Sequence, residues 1–242
     1  MRDKKEVLQI LKDQRDIFGD ELFIPKHKSS FTSKLATKTE KDEPELFPQE
    51  KENWENSSSL DELEKLICNC TKCNLHKGRN KFVFGSGNPN AKVLVIGEGP
   101  GAEEDKQGLP FVGRAGQLLT DMLRAIDFSR EEVYIGNIIK CRPPENRTPF
   151  PDEIETCLPY LKKQIDLIKP NLILCLGLTA AKGLLGTRES MTNLRGKLFE
   201  FENAKVMVTY HPAALLRNPH WKRPCWEDLK MFKKLYDSPR EI

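Results

Sequence analysis

The chain has 242 residues, with 39 Lys+Arg against 36 Asp+Glu for a net charge of +3, and 38% of its residues are hydrophobic against 31% charged. One medium-sized domain with a polar appendage fits that length and balance. No apolar run approaches the roughly 18 residues of a membrane span, and the opening MRDKKEVLQ has no apolar core of a secretory signal behind its charges, so a cytoplasmic protein is expected. Seven cysteines, an odd number in a chain expected inside the cell, argue against a disulfide framework and leave metal ligation, catalysis or burial.

The charge is uneven along the chain. Residues 1–60 hold 11 Lys+Arg and 13 Asp+Glu, net −2, which leaves +5 for residues 61–242. Apolar positions at Val7, Leu8, Ile10, Leu11, Ile17 and Phe18 predict a short amphipathic helix within 1–19, able to dock on a partner or on its own domain. Residues 20–58 are rich in Lys, Glu, Ser and Thr, with too few large apolar residues to offset the entropy of ordering, and read as a disordered linker. Phe47 and Trp54 are its apolar exceptions. The folded domain is expected over 59–242, opened by Ser59 as N-cap of SLDELEKLI with Glu62 at the capping-box spacing.

From there strands and helices alternate. Short β-branched or apolar runs at 92–96, 133–139, 171–176 and 206–210 predict strands, and the stretches 116–126, 152–168, 178–185 and 222–236 predict helices. Buried runs alternating with helices imply parallel strands joined by right-handed crossovers: a three-layer α/β/α sandwich around a short, mostly parallel four-stranded sheet. Ligands bind such sheets at the carboxyl ends of the strands. Here those ends carry GEGPG, Asn137, Gly177 and His211, so the chemistry is expected along one edge.

Cys70 and Cys73 form a C-x2-C pair, and Cys141 and Cys157 lie far downstream with fifteen residues between them. Four thiolates from two distant segments suggest one metal centre, either a tetrahedral zinc or an iron–sulphur cluster, and spacing does not separate the two. The plainer alternative is that Cys141 and Cys157 are small buried residues. Cys175 reads as strand core, Cys225 and Cys68 as free thiols, with Cys68 a substitute ligand.

GEGPGAEED (97–105) follows a strand, and its glycines let the backbone approach a ligand and offer N–H groups. It matches neither the GxxxxGK[ST] phosphate loop nor GxGxxG, since its glycines fall at 97, 99 and 101. QGLPFVGRAGQ (107–117) sets Phe111 in a Gly/Pro-flanked loop, where a ring can stack on a base. His211 follows an apolar strand and precedes Pro212, which biases it to an extended conformation pointing into the cleft and is expected to keep a helix from starting there. The adjoining ALLRNP is either a buried plug or an apolar wedge with Arg217 on a phosphate. Asn137 can read a donor/acceptor edge or cap the next turn.

Together GEGPGAEED, QGLPFVGRAGQLL, VYIGNIIKCRPPENR, the cysteine layout and TYHPAALLRNP resemble the family 4 uracil-DNA glycosylases, the iron–sulphur branch of that superfamily, over about residues 66–236. The resemblance implies one 4Fe-4S cluster on Cys70, Cys73, Cys141 and Cys157, chiefly structural. It implies hydrolysis of the bond between uracil and deoxyribose in single- or double-stranded DNA, leaving an abasic site that starts base excision repair. On that reading Phe111 stacks on the base and Asn137 bonds the uracil edge. His211 donates to uracil O2, joined by backbone N–H groups of Gly97, Gly99, Pro100-flanked Gly101 and their loop. Leu215 or Leu216 with Arg217 enters the DNA. Family 1 enzymes carry a water-positioning aspartate where this chain has Gly99, which leaves either Glu98 or Glu104 as catalytic carboxylate candidates to orient water, or backbone groups to hold it.

The resemblance further implies a monomer, no membrane partner and association with the nucleoid if the source is bacterial. The N-terminal arm lies beyond it, and either tethers a replication or repair protein or is a tolerated extension. Two other readings stay open: a glycosylase for another deaminated base such as hypoxanthine or xanthine, and an iron–sulphur DNA-binding module without catalysis.

Overall fold

The structure, a computed structural model, describes residues 53–238. The helix expected within 1–19 and most of the linker expected over 20–58 lie outside the described residues. In chain order the elements are α1 (Leu60–Ile67), β1 (Ser86–Gly87), β2 (Val93–Gly97), α2 (Ala102–Gln107), α3 (Arg114–Arg124), β3 (Tyr134–Asn137), α4 (Pro151–Ile168), β4 (Leu172–Leu176), α5 (Leu178–Leu185), α6 (Met191–Leu194), β5 (Leu198–Phe201), β6 (Ala204–Thr209), α7 (Pro212–Arg217) and α8 (Lys222–Asp237). Among the described residues no helix is long and apolar enough to cross a membrane.

The strands form one sheet in the order β1-β3-β2-β4-β6-β5. The central four are parallel, with Gly97 opposite Asn137 and Cys175 opposite Val208. Both faces of these strands are buried, which is why their sequences are continuous apolar runs rather than alternating ones. Leu94, Ile96, Ile173, Val206 and Val208 pack with the apolar faces of α1, α4 and α5. Val93, Val95, Leu172, Leu174 and Met207 pack with α3, α7 and α8 on the other side. The three-layer expectation therefore holds.

The sheet is larger than the four strands expected. Two short antiparallel edge strands are added, β1 against β3 and β5 against β6. β1 is two residues long and contains a glycine, and β5 is half-exposed along its length, so neither has the buried run that betrays a central strand. Pro212 does not delay the helix but opens it as the first residue of α7, where its missing N–H is unneeded. At α1 the Ser59 hydroxyl accepts from Glu62 N–H at 3.2 Å, while the Glu62 carboxylate reaches Ser58 N–H at 2.8 Å instead of the cap residue itself. Trp54, read as linker, sits in a turn at Asn53–Asn56, edge-on to Tyr160 with centroids 4.9 Å apart.

The end of β6 is pinned by a buried ion pair. Thr209 Oγ1 donates to Asp228 Oδ2 at 2.7 Å, and Arg195 Nη2 donates to Asp228 Oδ1 at 2.8 Å. The Asp228 side chain is only 3% exposed, and removing it takes a charged partner from Arg195 and from Thr209, two residues before His211, leaving them Pro224 O and Cys225 Sγ. Asp228→Ala is expected to cost about 2–3 kcal/mol in urea unfolding, at the lower end for a broken buried pair because Arg195 keeps some solvent contact. A loss under about 0.5 kcal/mol, the scale of an ordinary surface substitution, would show that the pin is not structural.

Candidate active site

The four parallel strands end in one row, and hydrogen bonding continues past them. Ile138 N–H donates to Gly97 O at 3.0 Å and Ile139 N–H to Glu98 O at 3.1 Å, so the GEGPG loop runs beside the chain that leaves Asn137. A Cβ at residue 97 would come within 2.5 Å of both Asn137 Oδ1 and the Phe111 ring, and one at residue 99 within 2.6 Å of Ile139. Gly97 and Gly99 are therefore demanded by close approach. Pro100 is buried behind them. Asn137 is 2% exposed and its Oδ1 has no hydrogen-bond partner, an acceptor aimed into the space that Gly97 and Phe111 line.

Phe111 is held in a left-handed backbone conformation, φ 53°, a strained state for a bulky residue. Three groups impose it. Arg130 donates to Phe111 O at 3.1 Å and to Pro110 O at 2.9 Å. Gly116 admits the loop, since any Cβ there would collide with the Phe111 carbonyl. Glu104 accepts from Val112 N–H at 2.9 Å and Gly113 N–H at 3.0 Å with Oε1, and from Gly101 N–H at 3.1 Å with Oε2. Both oxygens of Glu104 are thus taken by the two loops that form the pocket, which suits a clamp better than the catalytic role expected for it.

His211 caps α7, with Ala213 N–H donating to its Nδ1 at 3.1 Å. An accepting Nδ1 puts the proton of the neutral ring on Nε2. Burial first, then the Arg217 cation, push the imidazole down to about 4, so it is neutral at pH 7. Its ring lies 5.5 Å from that of Phe111, and Gly177, at φ 90°, leaves room for its Cβ. Glu98 is half-buried in the same cleft. Its carboxyl is raised by burial, against the opposing effects of a Thr179 hydroxyl hydrogen bond and Arg217.

The two leucines of the expected wedge part company. Leu215 is 2% exposed and belongs to the core with α3 and α8, so it is not available to enter DNA. Leu216 is 40% exposed and Arg217 is exposed beside it. Successive helical residues point about 100° apart, and a sequence of two leucines does not say which one faces out.

The four cysteines are electrostatically coupled: Cys141 feels Cys73 and Cys70, and Cys157 feels Cys141 and Cys73. Each sulphur has one donor aimed at it. Tyr160 OH donates to Cys70 Sγ and Arg79 Nη1 to Cys141 Sγ, both at 3.3 Å. The backbone N–H of Leu75 faces Cys73, and that of Lys140 faces Cys157. Lys140 is fully buried, with Nζ 2.6 Å from Gln164 Oε1. Burial pushes the Cys157 thiol up to about 12 and Lys140 down to about 8. Among the described residues no three His, Cys, Asp or Glu side chains are close enough to hold one metal ion. Cys175 and Cys225 are buried apart from this group, and Cys68 stays partly exposed.

Two close-packed glycines, an unpaired buried acceptor, an aromatic ring and a neutral histidine thus meet at the carboxyl end of the parallel strands. The family model described as Uracil DNA glycosylase superfamily matches residues 84–230, and the chain belongs to that superfamily. Its relatives include three proteins named Type-4 uracil-DNA glycosylase. That of Archaeoglobus fulgidus is 43% identical over 73% of this chain and 93% of the relative. That of Pyrobaculum aerophilum is 48% identical over 72% and 92%. That of Thermotoga maritima is 47% identical over 64% and 82%.

Arg130, Gly116, Arg79 and Lys140 were not singled out from sequence. Glycine 116 sits in a quoted motif, but nothing in residue type ties Arg130 to a carbonyl nineteen positions upstream. Glu104→Gln keeps the shape of the clamp but replaces one accepting oxygen with a donor facing N–H groups. Thermal unfolding should show a loss of about 1–3 kcal/mol, together with a raised KM as the pocket loosens; unchanged values of both would refute the clamp.

Proposed function

We propose that this protein is a uracil-DNA glycosylase: it takes a flipped deoxyuridine into the cleft and hydrolyses the bond between C1′ and uracil N1, which starts base excision repair. The observation that carries this reading is the unpartnered Oδ1 of Asn137. Uracil N3–H is the donor it lacks, while cytosine offers an acceptor at N3 and leaves the amide oxygen unsatisfied. Gly97 admits the base edge-on and Phe111 stacks on its face.

As the C1′–N1 bond breaks, its electron pair moves onto uracil and builds negative charge on O2. The Nε2–H of neutral His211 is the fixed donor for that oxygen, with N–H groups of the 97–101 loop beside it. Water then adds to the electron-poor C1′, and the proton it loses ends on the uracil anion, which leaves as neutral uracil. Glu98 is the cleft carboxylate left to orient that water, because both Glu104 oxygens are bound by loop N–H groups. Burial makes Glu98 a better acceptor than an exposed carboxylate.

Cys70, Cys73, Cys141 and Cys157 would hold a 4Fe-4S cluster, which supplies a four-point thiolate cross-link and no step of the hydrolysis. The fit rests on one hydrogen-bond donor per sulphur and on the buried Lys140 as counter-charge.

His211→Ala is expected to slow single-turnover excision by about a hundredfold or more, the cost of one such donor, while binding of uracil-DNA falls by less than about threefold. Equal losses in both would assign His211 to binding alone. Neutral His211 is the working form and its folded value is depressed, so its contribution is complete above the ordinary pH 6.5 and is lost as pH falls through about 4. A fall in wild-type rate between pH 7.5 and 6 that vanishes in His211→Ala would contradict this. Cys141→Ala should abolish the iron content and visible absorbance and lower Tm; full retention of iron would remove Cys141 from the ligand set.

A further inference from the structure

Trp221 takes no part in the pocket, yet its place beside the cleft is fixed. Its ring stacks on Tyr210, with centroids 4.8 Å apart and planes 13° apart, and Tyr210 directly precedes His211. The Arg195 guanidinium lies 5.5 Å from the Tyr210 ring, and Arg195 is itself held by Asp228. The turn at Pro219–Trp221 follows α7, which carries Leu216 and Arg217. Although one partner is stacked on it, 39% of Trp221 is exposed. Arg217, His220, Lys222 and Arg223 are exposed around it, and none of them makes an ion pair among the described residues.

The geometry points to Trp221 as a stacking platform for an unpaired base of the DNA strand beside the uracil, with Arg217, Lys222 and Arg223 on its phosphates. The inference rests on the uracil-DNA reading above and deepens it by naming single-stranded DNA as the form of substrate this surface serves. A base inside a duplex already has both faces stacked, so an indole gains one only from a single strand or an opened step. An indole flanked by cations is the combination that tracks single strands without regard to sequence, since every base has a face and every linkage a charge. A purely structural Trp221 would explain the contact with Tyr210 but not an unpaired cationic cluster around an exposed ring. The platform also continues the site already described, through Tyr210 to His211 and through α7 to Leu216.

The test uses single-stranded oligonucleotides holding a non-cleavable 2′-fluorinated deoxyuridine, in which the bases on either side are replaced one at a time by an abasic spacer. In the wild type, one or two adjacent spacer positions should weaken binding by at least about fivefold, the lower end for a base–aromatic stack. Trp221→Ala should weaken binding to the intact strand by a similar factor and erase the spacer dependence, while Trp221→Phe keeps most of it. On an undamaged duplex of the same length, where no step is opened, Trp221→Ala should change binding less than twofold. A wild type indifferent to every spacer overturns the platform without any variant having to fold. So does a spacer effect that survives in Trp221→Ala, or an equal loss on duplex and single strand. A wild type that does not prefer the uracil strand over an undamaged one overturns the uracil reading itself, which is a different result.

Discussion

A buried amide oxygen without a hydrogen-bond partner costs about 1–3 kcal/mol, and the structure around Asn137 keeps it in that state. Its neighbour strand supplies Gly97, which brings no side chain to cover it. The aromatic wall brings Phe111, which has no donor to offer. The strand register sets Gly97 opposite Asn137, so parallel pairing in the core fixes the most consequential contact of the pocket. On the proposed reading a base that brings an N–H satisfies this oxygen, and a base with an acceptor there does not.

Two consecutive carboxylates on α2 connect the pocket to the cysteines. Glu104 grips the Phe111 loop, and Asp105, fully buried, accepts from Asn80 N–H at 2.8 Å and from the Asn80 side chain. Asn80 follows Arg79, which donates to Cys141 Sγ and to Cys70 O. The segment carrying Cys70 and Cys73 is thereby tied to the helix that shapes the pocket. A four-cysteine staple would stiffen one end of this chain of contacts, and the strained Phe111 loop stands at the other. The segment of Cys70 and Cys73 and the strained Phe111 loop are in this way parts of one mechanical arrangement.

The central sheet was legible because its strands are buried on both faces and end in glycine or a polar residue, a pattern that needs no partner to be seen. The edge strands Ser86–Gly87 and Leu198–Phe201 were not, since an edge is defined by its neighbour more than by its own sequence. Asn137 and His211 are legible by their place at strand ends and Phe111 by its Gly/Pro-flanked loop, and the structure brings the three together. The sequence leaves Leu215 and Leu216 as equal candidates to enter DNA, because a helical phase one residue out exchanges core for surface, and the structure leaves Leu216 exposed. Glu104 reads as a catalytic carboxylate from sequence because the backbone N–H groups it binds, eight and nine residues on, carry no signature in residue type. Arg130 acts on carbonyls in the same way and gave no signal at all. Trp54 looked like linker because a single indole says nothing until Tyr160 is placed against it.

The most direct test of the account is the identity of the base released. Iron-replete protein, purified without oxygen, would be incubated with single-stranded DNA carrying uracil, cytosine, thymine or hypoxanthine at one position, and the free base identified by mass spectrometry. The account predicts release of uracil and none of cytosine, at a rate governed by His211. No base released from an iron-replete sample, or cytosine released as readily as uracil, would contradict the reading of Asn137 on which the rest stands.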